Sequence, residues 1–471
     1  MRICSNADEG ACAGRCEYCC SNTVATREAF TIGIAEVAAS LDIAEDTDGL
    51  RDGWRESQSH APDGLPQFLT PEGVHLACRA AYIPDEWLDA LLHAAETIAA
   101  SEAATAVAWH AHYWLHEADY DAGRARSWPR LVASTLREDG ALLYLIALIS
   151  GYESMQRIHR EHDIPEDVVA DTLSQIELYL EMTAEEQGYP EVVPHLIAWL
   201  MNHYMGIIYR LARLQFQFGR SHYKIRVFRN GETGQVLALS EGGVRFRRDG
   251  QVLRANDDPE GAWEAELSIT DEAAEGNPIV PEGHALADEV RLALDEWDQV
   301  LAPGDPVLHI HIPGGESMDY DACGEAFERA LQFFPRHFPD YEFNAFMCGS
   351  WLLNTALQDL AKPTSNMVRF QREVYLFPLG LADDSLPSAL FGGLRRKMPE
   401  DMSDAPRETS LQRAYLDALE AGEYKAGGGG CFLLPQDVDW GAQVYLTRSR
   451  WQVAGSRWQV AGGRWHVASS K

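Results

Sequence analysis

Between residues 25 and 205 apolar positions recur at helical spacing, and little of this stretch alternates in the manner of a strand. Pro84 and Asp85 open a predicted helix that carries Trp87, Leu88, Leu91, Leu92, Ala95 and Ile98 on one side. Another opens near Asp163 and Pro165, with Val169, Leu173, Ile176 and Leu180 at the same period. Residues 105–117, 142–149 and 194–205 read as further helices, so this half is predicted all-helical.

The period changes after residue 205. Residues 209–218 (YRLARLQFQF) place Leu211, Arg213, Gln215 and Gln217 on one face of a predicted strand and Ala212, Leu214, Phe216 and Phe218 on the other. Residues 223–229 alternate as well, and Arg229-Asn230-Gly231-Glu232 is a hairpin-type turn. Residues 230–303 are polar and turn-rich, with short strands near Val236 and Val244, and read as an insertion. From Pro306 a tight alternation follows: strand 307–312, a turn at Gly314-Gly315, helix 320–334, strand 343–348, helix 351–360 and strand 367–377. A short strand over 431–434 comes last, after glycines 427–430 that read as flexible. The fold class this implies is α+β with two domains, helical over 26–205 and mixed α/β over 206–445. Residues 446–471 repeat a seven-residue unit (SRWQVAG, SRWQVAG, GRWHVAS), too short to build a core, and are expected to be disordered.

Composition sharpens this outline. The 471-residue chain is long enough for two or three cores, and its 46% hydrophobic residues suit a globular protein. A formal net charge of -33 repels phosphate backbones and anionic membranes, so neither nucleic acid nor membrane is an expected partner. The most apolar run, residues 141–149, is far short of the roughly 18 residues a membrane span requires. No secretory pattern opens the chain, so a cytoplasmic location is expected, where disulfides are rare.

Five of the nine cysteines, Cys4, Cys12, Cys16, Cys19 and Cys20, crowd into residues 1–25, a head for which disorder is the favoured reading. Cys12, Cys16 and Cys19 match the spacing by which radical-SAM enzymes hold an iron–sulfur cluster, and Gly314-Gly315-Glu316 mimics that family's second motif. Nearly three hundred mostly helical residues separate the two, which argues against that chemistry. His112 and His116 stand at metal-binding spacing beside His110 and Glu117, but no Glu follows His112 directly, and packed helix histidines fit better. No metal is expected.

Several segments carry a resemblance. They are His311-Ile312-Pro313, the run from Phe334 through Pro339 (FPRHFP), the run from Cys348 through Leu353 (CGSWLL), and the run from Ser365 through Gln371 (SNMVRFQ). Together with the strand over 209–218 they resemble the bacterial family of acyltransferase-domain proteins with a helical N-acyltransferase N-terminal domain and a GNAT-like C-terminal domain, over roughly residues 60–435. The resemblance implies an enzyme, an acyl-CoA-dependent N-acyltransferase moving an acyl group from CoA to a small-molecule amine. It implies acyl-CoA in a splay between two parallel strands, its diphosphate on backbone amides at the start of the following helix.

On that reading Pro313, Gly314, Gly315 and Ser317 form the diphosphate-binding turn, where two glycines let the backbone approach closely. The Arg/Gln-x-x-Gly-x-Gly/Ala loop usual in GNAT enzymes is absent, and Glu316 would repel phosphate; an ordinary strand-to-helix turn is the alternative. His309 and His311, on one strand face, suit the base that takes the amine's proton near neutral pH. Cys348 and Ser350 end the adjacent strand, where a thiol or hydroxyl could protonate the departing sulfur; core-filling roles are the alternative. Arg369 and Gln371, on a common strand face, are candidates for a substrate carboxylate. A non-catalytic acyl-CoA or small-molecule binding protein on the same fold is the rival function.

Overall fold

The computed structural model describes residues 32–448, except 44–46, 119–122, 256, 381–389, 391–404 and 422–427, together with the backbone of three strands in the tail. The Cys-rich head lies outside the described residues. The remaining cysteines with a described environment, Cys78, Cys323, Cys348 and Cys431, are free and buried.

The first half is helical, as its period predicts. Its main helices are α1 (Pro71–Ala80), α2 (Asp85–Ala99), α3 (Glu102–His112), α4 (Leu143–Ile149), α5 (Tyr152–Glu161), α6 (Glu166–Gln187) and α7 (Pro194–Tyr204). Local chemistry sets their ends. The Thr70 hydroxyl accepts from the Gly73 amide at the start of α1, where Pro71 needs no donor, and the Ser101 hydroxyl accepts from Ala104 at the start of α3. Gly188, at φ +85°, stops α6 in the left-handed region that favours glycine. All seven residues of α4 are buried, which makes it the central stave of the helical core. Among the described residues no helix is long and apolar enough to cross a membrane.

The second half is organised by a six-stranded sheet. Its strands are β1 (Ile208–Leu211), β2 (Leu214–Arg220), β3 (Pro306–His311), β4 (Ala345–Ser350), β5 (Tyr375–Leu379) and β6 (Gly428–Leu433), in the spatial order β1-β2-β3-β4-β6-β5. Only β3 and β4 run parallel; every other pair is antiparallel. Helix α8 (Tyr320–His337) crosses from β3 to β4 and covers one sheet face. Phe216, Phe346, Phe327 and Phe334 interlock there, with ring centroids 5.2–6.1 Å apart. Each such ring contributes about 1.5–3 kcal/mol on burial.

Some expectations are corrected. The single strand over 209–218 is a hairpin, because Ala212 turns the chain at φ +51° and pairs Leu211 with Leu214. Residues 366–373 form helix α9 (Asn366–Glu373) rather than a strand: Ser365 caps it, and the alternation of Val368 and Phe370 over so short a stretch hides the helical period. The helix over 351–360 breaks into a 3-10 turn (Trp351–Leu353) and one α-turn (Leu357–Leu360). Gly428–Leu433 is buried strand instead of flexible linker. A Cβ on Gly429 would sit 2.0 Å from the Leu353 carbonyl oxygen, and one on Gly430 2.1 Å from the Phe377 ring, so the glycines are there for close packing.

The 230–303 region is richer in strands than its polarity suggests. It supplies most of a five-stranded sheet and a three-stranded one, the former anchored by Ile225–Asn230 paired with Trp297–Leu301. The tail, expected to be disordered, forms an antiparallel ribbon of Gln452–Val453, Ser456–Ala461 and Arg464–Ala468. Its Trp-x-Val alternation has the two-residue period of a strand.

The two halves are stitched together. Arg210 donates its amide to Thr172 at 2.9 Å, and Gln215 donates to Gln175 at 2.8 Å. The His162 and His337 rings each bond the other's main-chain carbonyl, at 3.2 and 2.9 Å.

Candidate active site

The parallel seam between β3 and β4 closes for only three residue pairs, Val307 with Ala345, Leu308 with Phe346 and His309 with Met347. Beyond them β3 continues against β2, and β4 continues against β6. The two strands therefore part, and a cavity of about 400 Å³ opens where they separate. His311, Pro313, Gly314, Met318, Cys348 and Trp351 are among its lining residues.

Strand alternation sorts the predicted residues by face. His309 and His311 stand opposite Gln217 and Gln215 on the face away from α8. The Nε2 of His311 donates to Gln217 Oε1 at 2.8 Å, which leaves Nδ1 as the ring's lone pair. Trp199 of α7 meets the ring edge-on, with centroids 4.7 Å apart, so the helical half roofs this face. Burial, with His203 and His309 nearby, lowers the His311 pKa to about 4, so the ring is neutral at pH 7. His309 is lowered too, chiefly by burial, and its Nε2 bonds the Arg220 carbonyl at 3.2 Å beside the rim of the sheet. His311, not His309, lines the cavity.

Cys348 shares its face with Phe346, the side covered by α8, and so does not join the histidines on theirs. Burial pushes its thiol up to about 12, which disfavours a nucleophilic thiolate. Ser350 lines the mouth of the cavity while its hydroxyl accepts from the Leu352 amide at 3.2 Å.

Helix α8 begins at Tyr320, where its predicted span begins, and Asp319 Oδ1 accepts from the Ala322 amide at 2.8 Å. The turn after β3 therefore does not lie at the helix start, where the resemblance puts the diphosphate amides. Residues 313–318 are thus a separate loop. Among the described residues the amides of Gly314, Gly315, Glu316 and Ser317 donate to nothing in the chain. Gly314 faces open space, whereas Gly315, at φ +81°, lies under Leu178 of α6, where a Cβ would come within 2.5 Å. Glu316, expected to repel phosphate, is paired through both carboxylate oxygens with Arg210 at 3.0 and 3.1 Å.

Arg369 and Gln371 are not a strand-face pair. On α9 the Arg369 guanidinium stacks over the Tyr320 ring at 3.5 Å, and buried Gln371 donates to the Leu352 carbonyl at 2.7 Å. Neither is among the residues that line the cavity. The helix histidines are likewise engaged: His112 bonds Ser150 and Glu117, and His116 bonds the Ala147 carbonyl. Carboxylates of Glu86, Glu177 and Glu181, on α2 and α6, lie within 4.8 Å of one another.

Sequence reasoning missed Gln217, Trp199 and Arg213. Only the register that sets β2 against β3, and the packing of α7 on the sheet, bring the first two to His311. Arg213 sits in the β1–β2 turn and reaches the loop about a hundred residues onward.

Two family models match the chain: an N-acyltransferase N-terminal domain over residues 73–206 and a GNAT-like C-terminal domain over 208–432. The chain is an acyltransferase of this two-domain family. The junction between the models falls at the observed passage from α7 to β1. Three solved structures resemble the acyltransferase across 86% of its length. One is an acyltransferase mutant in complex with octanoyl-CoA (19% identity, 99% of that chain, TM-score 0.55). Another is an acyltransferase in complex with CoA and 10C-teicoplanin (18%, 99%, 0.56), and a third an acyltransferase with decanoyl-CoA (18%, 100%, 0.54). At such identities the likeness is one of fold. No curated protein matches the acyltransferase.

Proposed function

We propose that the chain transfers an acyl group from acyl-CoA to the amine of a small molecule, with His311 as the base. The observation that carries this reading is the parting of β3 and β4 after His309, directly above a loop whose amides are free. Parting strands leave main-chain groups unpaired on both edges, and a pantetheine arm can bond to them as a further strand would. Amides at the loop suit the diphosphate. The acyl-CoA and teicoplanin complexes of the structural neighbours support a fatty thioester donor and a small-molecule acceptor.

The amine attacks the thioester carbonyl, and the adduct carries an ammonium and an oxyanion. That ammonium is more acidic than the ordinary ammonium form of the same amine, so a weak neutral base is sufficient to take its proton. Gln217, by holding the proton on Nε2 of His311, keeps Nδ1 ready for it. Collapse of the adduct breaks the C–S bond, forms the amide and releases CoA. Cys348 and Ser350 stand at the cavity where the sulfur departs, and a hydroxyl or neutral thiol there can return a proton. Trp199 and the helical half screen the histidine face, so we place the acceptor pocket between the two halves.

Calorimetric titration with decanoyl-CoA, followed by a thiol-release assay over a panel of amines, tests the reading. Binding together with amine-dependent release of CoA is expected. Binding without release for any amine would replace the transferase by a non-catalytic acyl-CoA carrier, and no binding would remove both.

A further inference from the structure

Arg213 is 95% withdrawn from solvent, at 5% exposure, yet among the described residues it forms no ion pair. Its Nε donates to the Ser317 carbonyl at 2.9 Å, and its Nη2 to the carbonyls of Pro313 at 2.7 Å and Glu316 at 2.9 Å. The buried Nη1 has no partner. Glu316, the carboxylate within the loop, is taken by Arg210, and Asp319, at the loop's end, caps α8. Among the described residues Arg213 therefore keeps a buried guanidinium with no carboxylate bonded to it. An uncompensated buried guanidinium is unfavourable unless an anion arrives.

The carbonyl bonds also set direction. In a trans peptide the C=O and N–H of one unit point opposite ways. Drawing the carbonyls of Pro313, Glu316 and Ser317 onto Arg213 thus turns the amides of Gly314, Ser317 and Met318 outward, away from the guanidinium. The same residue borders both the cavity at the parted strands and an open groove of about 390 Å³ lined by Ala212, Ser317, Asp319 and Ala322.

We propose that Arg213 is the positioning residue of the diphosphate site: nested in the loop's carbonyls, it aims the opposite amides at the diphosphate of CoA and backs them with a positive charge. The inference rests on the acyl-CoA reading above. It assigns to the β1–β2 turn a duty that no residue within the 313–318 loop performs.

Three ligands separate the contributions: CoA, dephospho-CoA, which keeps the diphosphate and lacks the ribose phosphate, and pantetheine, which lacks both. Wild-type protein is expected to bind the first two far more tightly than the third. Arg213→Met should weaken CoA and dephospho-CoA by about 10- to 100-fold, the scale of lost charge-assisted hydrogen bonds, and leave pantetheine unchanged. Arg213→Lys, which keeps the charge and loses the fork, should fall between. An unaltered CoA-to-pantetheine ratio in Arg213→Met overturns the proposal while sparing the acyl-CoA reading. Wild-type protein that binds no CoA overturns both. Should neither variant fold by circular dichroism, a crystal structure of the wild-type CoA complex decides. Diphosphate oxygens about 3 Å from the amides of Gly314, Ser317 or Met318, with the three carbonyl bonds intact, support it; a diphosphate held elsewhere overturns it.

Discussion

Strand β4 has two edges, and they behave oppositely. Along the edge facing β6 the pairing runs unbroken from Phe346 with Leu433 to Ser350 with Gly429. Along the edge facing β3 it ends at Met347. The closed seam is made by glycines whose missing side chains admit the Leu353 carbonyl and the Phe377 ring. The open seam is bordered by a half-buried histidine, an arginine with an unpartnered nitrogen and a loop of free amides. One strand thus joins a seam built for stability to a seam that leaves polar groups unsatisfied, a pattern associated with binding rather than with packing.

The comparison can be broken most severely at the open seam. His311→Ala is expected to lower turnover by at least about 100-fold with little change in acyl-CoA affinity; thiol-release kinetics measure it, and an undiminished rate removes His311 as base. At the closed seam Gly429→Ala drives a methyl group onto the Leu353 carbonyl and should destabilise the fold by about 2–3 kcal/mol, read by denaturant unfolding. If it melts like wild type, the close approach is not what closes the seam.

Acid should find the histidines before anything in the glycine seam. His311, His203 and His159 are held near 4 and His110 and His116 near 3, in each case chiefly by burial. Folded rings stay neutral while unfolded ones protonate near 6.5, so the unfolded chain binds more protons as pH falls from about 6.5 towards 4. Stability is expected to decline across that window by at most about 1.4 kcal/mol per pH unit for each histidine. A melting temperature that stays level between pH 7 and pH 5 contradicts it. The smallest effects discriminate within the loop: Gly315→Ala, strained and crowded by Leu178, should cost about 1–2 kcal/mol, whereas Gly314→Ala should stay within about 0.5 kcal/mol. Equal losses at the two positions would show that the loop does not distinguish its faces.

The legibility of this molecule in its sequence follows from range. Helices with sustained apolar periods, such as Glu166–Gln187, were readable because neighbours three and four apart decide them. The strand carrying His309 and His311 was readable through its alternation and through family resemblance. Asn366–Glu373 was misread because Val368 and Phe370 mimic a two-residue period over a stretch too short to average out. The polyglycine strand was misread because its reason lies in Leu353 and Phe377, which are distant in sequence. Arg213 left no local signal at all: its partners are carbonyls, which every residue has.

The reciprocal bonds between His162 and His337, and the burial of Val168 in the sheet's core rather than that of the helices, bear on how the protein can be divided. A cut in the Gly206 region would strip a wall from the sheet and lay bare Tyr209, which is fully buried and touches His159. Neither fragment would keep an intact interior. Swapping helical halves between relatives to change the acceptor should therefore succeed only when the surface of α6 and α7 that meets the sheet travels with the graft.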